Sequence, residues 1–224
     1  MVNNESQPTK RLPRPMSEAL LGYGAFCSVS LLSRLLPCVF GLVVLAGIGF
    51  PLCWGKRTGD WATLGFRRRD LGRALLWGAT TGVVAVVYVV VSARLNPLPP
   101  PPLLPVQLAL GIPIAFLMLA PFQEFFFRGW LQPRLQDGLG KVAGLVVTSL
   151  AFTFWHLIPP FEGTSTSAVS VSSPSGLLTT LGMGLVFGYA FQRTSNIVAP
   201  WLAHALMIIA LVGVGGMTFV QYTP

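Results

Sequence analysis

A chain of 224 residues that is 53% hydrophobic and only 10% charged has less than half the charged fraction of an ordinary soluble domain, which is roughly a quarter, and this excludes a water-soluble globule. Its mean hydropathy of +0.67 comes from apolar residues gathered in long runs, as helices in lipid require. The formal charge of +8, from fifteen Lys and Arg against seven Asp and Glu, reads as loop charge that sets orientation. No basic stretch is interleaved with aromatics outside the apolar runs, so nucleic acid is not an expected partner.

Residues 1–17 predict a cytoplasmic tail: they are polar, include Lys10, Arg11 and Arg14, and lead into an apolar segment with no small-residue cleavage site. The apolar run from Leu20 to Trp54 would make a single helix of about 52 Å, against a hydrocarbon core of about 30 Å. Arg34 and Pro37 near its middle predict two short spans instead, at about 19–33 and 36–54. Cys27, Cys38 and Cys53 fall in this region without metal-ligand spacing and read as packing or lipid-facing residues. The stretch 56–73, with Arg67, Arg68 and Arg69 in succession, predicts a basic cytoplasmic loop, and a third span follows at about 74–93. These elements form an N-terminal transmembrane unit, 18–95. Six prolines in 96–105 cannot continue a helix and predict a stiff extended connector on the outer side.

A membrane domain is expected over 106–220. Its first helix runs to about Leu135, Gly138 and Gly140 make a turn, and a second helix returns to about His156. An outer loop at 158–174 and spans at about 176–192 and 196–216 complete an all-α polytopic membrane helix bundle of about seven spans. With the N-terminus in the cytoplasm, thirteen of the fifteen Lys and Arg fall inside, counting Arg128, which lies at membrane depth; only Arg34 and Arg94 fall outside.

Titratable groups inside apolar runs are expensive and therefore functional candidates. Here they are Glu124, Arg128, His156 and His204, the last two being the chain's only histidines. Singly, each fits a bland reading: a structural ion pair four residues apart for Glu124 and Arg128, an interfacial residue for His156, a satisfied core histidine for His204. Together they favour chemistry. Counted from the glycine turn, Glu124 and His156 lie at similar depth on antiparallel helices, so a carboxylate and an imidazole can face each other, with a second imidazole on a nearby span. Such a set can activate a water in a low-dielectric pocket and stabilise an oxyanion.

These residues sit in three ordered motifs. Gln123-Glu124-Phe125-Phe126-Phe127-Arg128, followed by Gly129-Trp130-Leu131, is similar to a Glu-Glu-x-x-x-Arg pattern. Phe152 to His156 matches Phe-x-x-x-His, and His204 matches the first position of His-x-x-x-Asn, after a similar lead-in from Gly184 through Ala199-Pro200-Trp201. Over 121–208 the chain resembles the CAAX protease and bacteriocin-processing family, which includes the Ras-converting enzyme and bacterial Abi-type proteins. The resemblance implies an intramembrane endopeptidase acting on a membrane-associated peptide or protein. It implies a water held by His156 and by the groups at 123 and 124, a carboxylate fixed by Arg128, and an oxyanion stabilised by His204. Two positions depart from the pattern: residue 123 is Gln where the family has the Glu thought to activate water, and residue 208 is Ile where it has Asn. A Gln amide cannot accept water's proton, so either Glu124 has taken over as base, on a helix distorted near Pro121, or the chain is a peptide-binding immunity or scaffold protein. No metal is assigned, since the two histidines lack zinc-ligand spacing, and no cofactor is specified. A proton-relaying transporter would need paired broken helices or an inverted repeat, and the sequence has neither.

Overall fold

The computed structural model describes residues 14–158 and 173–220, and every regular element among them is helical. α1 (Arg14–Leu35) ends just before Pro37, a short 3-10 turn covers Pro37–Val39, and α2 (Phe40–Thr58) follows. The break expected around Arg34 and Pro37 is therefore present. Gly59 closes α2 at φ +73°, donating its N–H to the Gly55 carbonyl, a left-handed cap that glycine adopts without a side-chain clash. α3 (Leu71–Leu95) stops at Asn96, where Pro97 bars the next residue from the helix. The prolines that follow connect it to α4 (Leu104–Ile114), which has Pro105 in its first turn.

From Leu104 the chain stays helical to Leu139, 36 residues in all. It passes through a π-helical turn (Ala115–Leu119), α5 (Ala120–Glu124), a second π-helical segment (Phe125–Leu131) and α6 (Gln132–Leu139). Gly140, at φ +84°, reverses the chain into α7 (Lys141–Trp155). Gly138 belongs to α6, so the expected two-glycine turn is a reversal at one glycine. α8 (Pro174–Thr194) starts on Ser173, whose hydroxyl accepts from the Gly176 N–H, and α9 (Val198–Gly213) ends the bundle.

Among the described residues four helical stretches are long and apolar enough to cross a membrane: Phe40–Thr58, Leu71–Leu95, Leu104–Leu139 and Pro174–Thr194; Lys141–Trp155 and Val198–Gly213 are shorter apolar helices. The seventh expected span falls on α1. Residues 1–13 of the expected tail, 159–172 of the expected outer loop, and 221–224 lie outside the described residues.

Proline chemistry explains the first distortion in the long helix. Before Pro121 the backbone has widened to an i to i−5 ladder, with Ala120 N–H donating to Ala115 O. In that register Pro121 is the residue that would serve Phe116 O, and it has no N–H to give. The indole Nε1–H of Trp201 on α9 donates to Phe116 O instead, at 2.8 Å. A defect in one helix is thus filled by a donor from the helix that carries His204. All residues from Ala120 to Gln132 are buried, so this stretch is surrounded by the others. Phe122, Phe126, Phe127 and Trp130 pack there with Phe26, Phe152 and Trp155.

Small residues bring the helices close, as they do where lipid offers no hydrophobic drive between helices. Ala74, Gly78, Gly82 and Ala85 line the buried face of α3, and α9 presents Ala199 and Ala203. A Cβ built on Gly78 would stand 2.8 Å from the Ala199 carbonyl oxygen. Gly78→Ala is expected to destabilise the bundle by about 1–3 kcal/mol through overpacking against backbone. Gly49→Ala, where an added Cβ meets nothing within 4 Å, should be neutral or stabilising. Thermal unfolding in detergent measures both, and equal melting temperatures for the two variants would contradict this packing.

Candidate active site

Glu124 ends α5 and Arg128 lies in the π-helical segment beyond it, so their side chains meet along one helix. Arg128 Nη1 donates to Glu124 Oε1 at 3.1 Å, and the same oxygen is 2.7 Å from Nδ1 of His204 on α9. A carboxylate only accepts, so Nδ1 of His204 carries the proton. Glu124 and Arg128 are fully buried and His204 is 3% exposed. Arg128 Nη2 also donates to the Gly184 carbonyl on α8, at 3.3 Å. One carboxylate oxygen therefore gathers three helical segments at the bundle centre.

Aromatic rings wall this cluster. The Arg128 guanidinium carbon lies 4.1 Å from the Phe152 ring centroid and 6.0 Å from that of Phe187, in the range of cation–π attraction. The His204 ring is 5.3 Å from Phe187 and 6.3 Å from Phe152, and the His156 ring meets Phe152 edge-on at 4.4 Å. The two imidazoles thus flank one phenyl ring, which bounds their separation at the sum of those two Phe152 distances. His156 caps α7, and its Nδ1 lies 2.8 Å from the Phe152 carbonyl. Because a carbonyl accepts, Nδ1 carries the proton, which leaves the lone pair on Nε2.

Sequence spacing set Glu124 opposite His156 across the hairpin; the structure gives its Oε1 to His204. His156 has its Nδ1 engaged by its own helix end, while the small residues of α3 and α9 bring the last helix in. Gln123 is buried, with Nε2 donating to Leu119 O at 3.3 Å. Ile208 is 3% exposed and packs on Ala115, Ala120 and Ala205, an apolar contact with no donor.

Gln132, a residue outside the three motifs, donates from Nε2 to the Gly188 carbonyl at 3.0 Å and extends Glu124 and Arg128 into a polar stripe facing the glycines of α8. The readable signal was a polar residue at every fourth position of an apolar run. Four buried atoms of this stripe and its neighbour have no hydrogen-bond partner among the described residues: Gln123 Oε1, Glu124 Oε2, Arg128 Nε and Gln132 Oε1. In a dry bundle such atoms call for water or substrate. Among the described residues no three His, Cys, Asp or Glu side chains group around a common metal position.

Removing one member of a buried ion pair strands the other, at about 3–5 kcal/mol. Arg128→Ala should therefore lower folded yield and melting temperature sharply. Adding Glu124→Gln to it should recover part of the loss, the sign of direct coupling in a double-mutant cycle. Additive losses would show that the pair is not coupled.

Residues 105–210 match the family model described as Type II CAAX prenyl endopeptidase Rce1-like. No curated protein and no solved structure matches the chain. The matched segment, just under half of the chain, contains all three motifs and every residue of the Glu124 cluster, and over it the chain is similar to the Rce1-like CAAX endopeptidases, a family of membrane proteases.

Proposed function

We propose that the chain hydrolyses a peptide bond of a membrane-associated peptide or protein, at a site formed by Gln123, Glu124, Arg128, His156 and His204. The observation that carries this reading is the buried carboxylate oxygen shared by Arg128 and His204, with His156 on the same phenyl ring. Neutral His156, protonated at Nδ1, has its Nε2 lone pair for water's proton; Gln123 Oε1 accepts a second hydrogen bond from that water and fixes its direction. The water oxygen attacks the carbonyl carbon. His204 stabilises the resulting oxyanion as an imidazolium, donating Nδ1–H to Glu124 and Nε2–H to the oxyanion, while Arg128 holds the carboxylate in place. Collapse breaks the C–N bond, and His156 returns its proton to the leaving nitrogen.

The N-terminus and the basic stretch 56–73 face the cytoplasm, from the distribution of Lys and Arg. In a cysteine-free background, labelling of an Arg68→Cys variant from outside intact cells would overturn that orientation.

A second reading, peptide binding without hydrolysis, rests on Gln123 and Ile208. A membrane-tethered peptide in proteoliposomes separates the two. Cleavage should fall on the order of 100-fold or more in His156→Ala and rise in Gln123→Glu. Cleavage seen only in Gln123→Glu combined with Ile208→Asn would make the native chain a binding protein. Loss in Glu124→Gln with no gain in Gln123→Glu would move the base to Glu124.

A further inference from the structure

α1 lies outside the 105–210 match, yet it holds the helix that ends in His156. Tyr23 Oη donates to Ala151 O at 2.8 Å, and Trp155 Nε1 donates to Ser30 Oγ at 2.8 Å. Arg34 donates from Nη2 to Leu157 O at 2.6 Å and from Nε to Ile158 O. Phe26 stacks on Trp155 with centroids 5.6 Å apart. Positions 23, 26, 30 and 34 recur every three or four residues, so they share one face of α1. Their partners, on α7 and in the turn just beyond it, ascend in the same order, so the two helices run parallel and end together.

That end is where carbonyls lack helical donors. Phe152 O and Thr153 O are met by His156 N–H, Phe154 O by Leu157 N–H, and Trp155 O by Ile158 N–H. The Leu157 and Ile158 carbonyls are met by Arg34. The guanidinium thus stands at the negative ends of two helix dipoles, α1 and α7. Around it Leu31, Leu32, Leu35 and Leu36 are 45–77% exposed, an apolar surface on which an unpaired guanidinium would be poorly solvated. The turn it closes, 156–158, is the one that keeps His156 Nδ1 on the Phe152 carbonyl.

We propose that Arg34 is a positioning residue for His156: by closing the end of α7 it fixes the imidazole's orientation and its Nδ1–H tautomer. The catalytic part of this inference rests on the role of His156 given above; the structural part does not. The chain has two histidines, so ¹⁵N-histidine labelling gives two imidazoles, and His156→Gln assigns them. Long-range ¹H–¹⁵N spectra in nanodiscs report which ring nitrogen holds the proton. In Arg34→Met, which keeps an apolar stem without donors, the His156 signals should move from the Nδ1–H form towards a tautomer mixture while those of His204 stay in place. Arg34→Lys, a weaker donor at the same point, should restore part of the wild-type pattern and serves in place of Arg34→Met if that variant is unfolded by circular dichroism. On a cleaved peptide, kcat should drop at least about tenfold with KM little changed. Unchanged His156 signals in Arg34→Met, or equal shifts of both histidines, would overturn the proposal. The expected shifts in a protein that cleaves nothing would sustain the positioning of His156 while refuting the proteolytic reading.

Discussion

A carboxylate in a lipid-embedded bundle must be compensated, and here one oxygen of Glu124 is compensated twice, by Arg128 at 3.1 Å and by His204 at 2.7 Å. Everything around it serves that demand. Arg128 is itself buried, so its other terminal nitrogen needs an acceptor, which the Gly184 backbone supplies; a Cβ at residue 184 would stand 3.1 Å from the Ser149 Cβ, so the glycine lets α8 lie close on α7. His204 reaches Glu124 only if α9 lies tight on its neighbours, which Gly78, Gly82, Ala199 and Ala203 allow. Small residues, the ion pair and the histidine form one constraint, since loosening any of them strands charge in a medium without water.

The long helix reaches this arrangement by giving up regularity. π-helical turns are recurrent at functional sites because an extra residue per turn redirects side chains without ending the helix. Two of them bracket α5, and the second begins immediately after Glu124. The distortion near Pro121 has its own partner in Trp201, whose ring also packs edge-on against Phe125 at 5.6 Å. The tryptophan lies three residues before His204, so the donor that repairs the proline defect also fixes the turn of α9 that carries the imidazole.

Hydropathy made the helices legible, because apolar runs, proline runs and basic loops act through local chemistry. It placed the break before α2, the proline connector and the reversal near Gly140. Motif order singled out the candidate residues, but not their pairing: Glu124 and His156 were expected at one depth, whereas the Glu124 to His204 contact depends on how α9 rotates and approaches. That is set by small residues on α3, which a count of apolar positions does not distinguish from any others. The spacing Gly78-x-x-x-Gly82 was the available sign. The π turns were illegible for a different reason, since they arise from proline and tertiary packing acting together, and Trp201 is 80 residues from Pro121 in the chain.

The two departures from the family pattern act on one balance of charge. With Gln at 123 and both imidazoles neutral, Glu124 and Arg128 cancel and the buried cluster carries no net charge. In the proposed mechanism His204 donates to the oxyanion as an imidazolium, and with that form the cluster is positive by one until the oxyanion forms. A glutamate at 123 would supply the negative charge that balances this imidazolium form. Gln123 therefore does more than lack basicity, because it also leaves the donor form of His204 uncompensated before attack. Ile208, packed on alanines, offers no neutral donor to share the load. Arg128 Nε, a buried donor unpartnered among the described residues, is already positive. On the mechanism proposed above, such a site is complementary to the charge-separated transition state more than to the resting substrate.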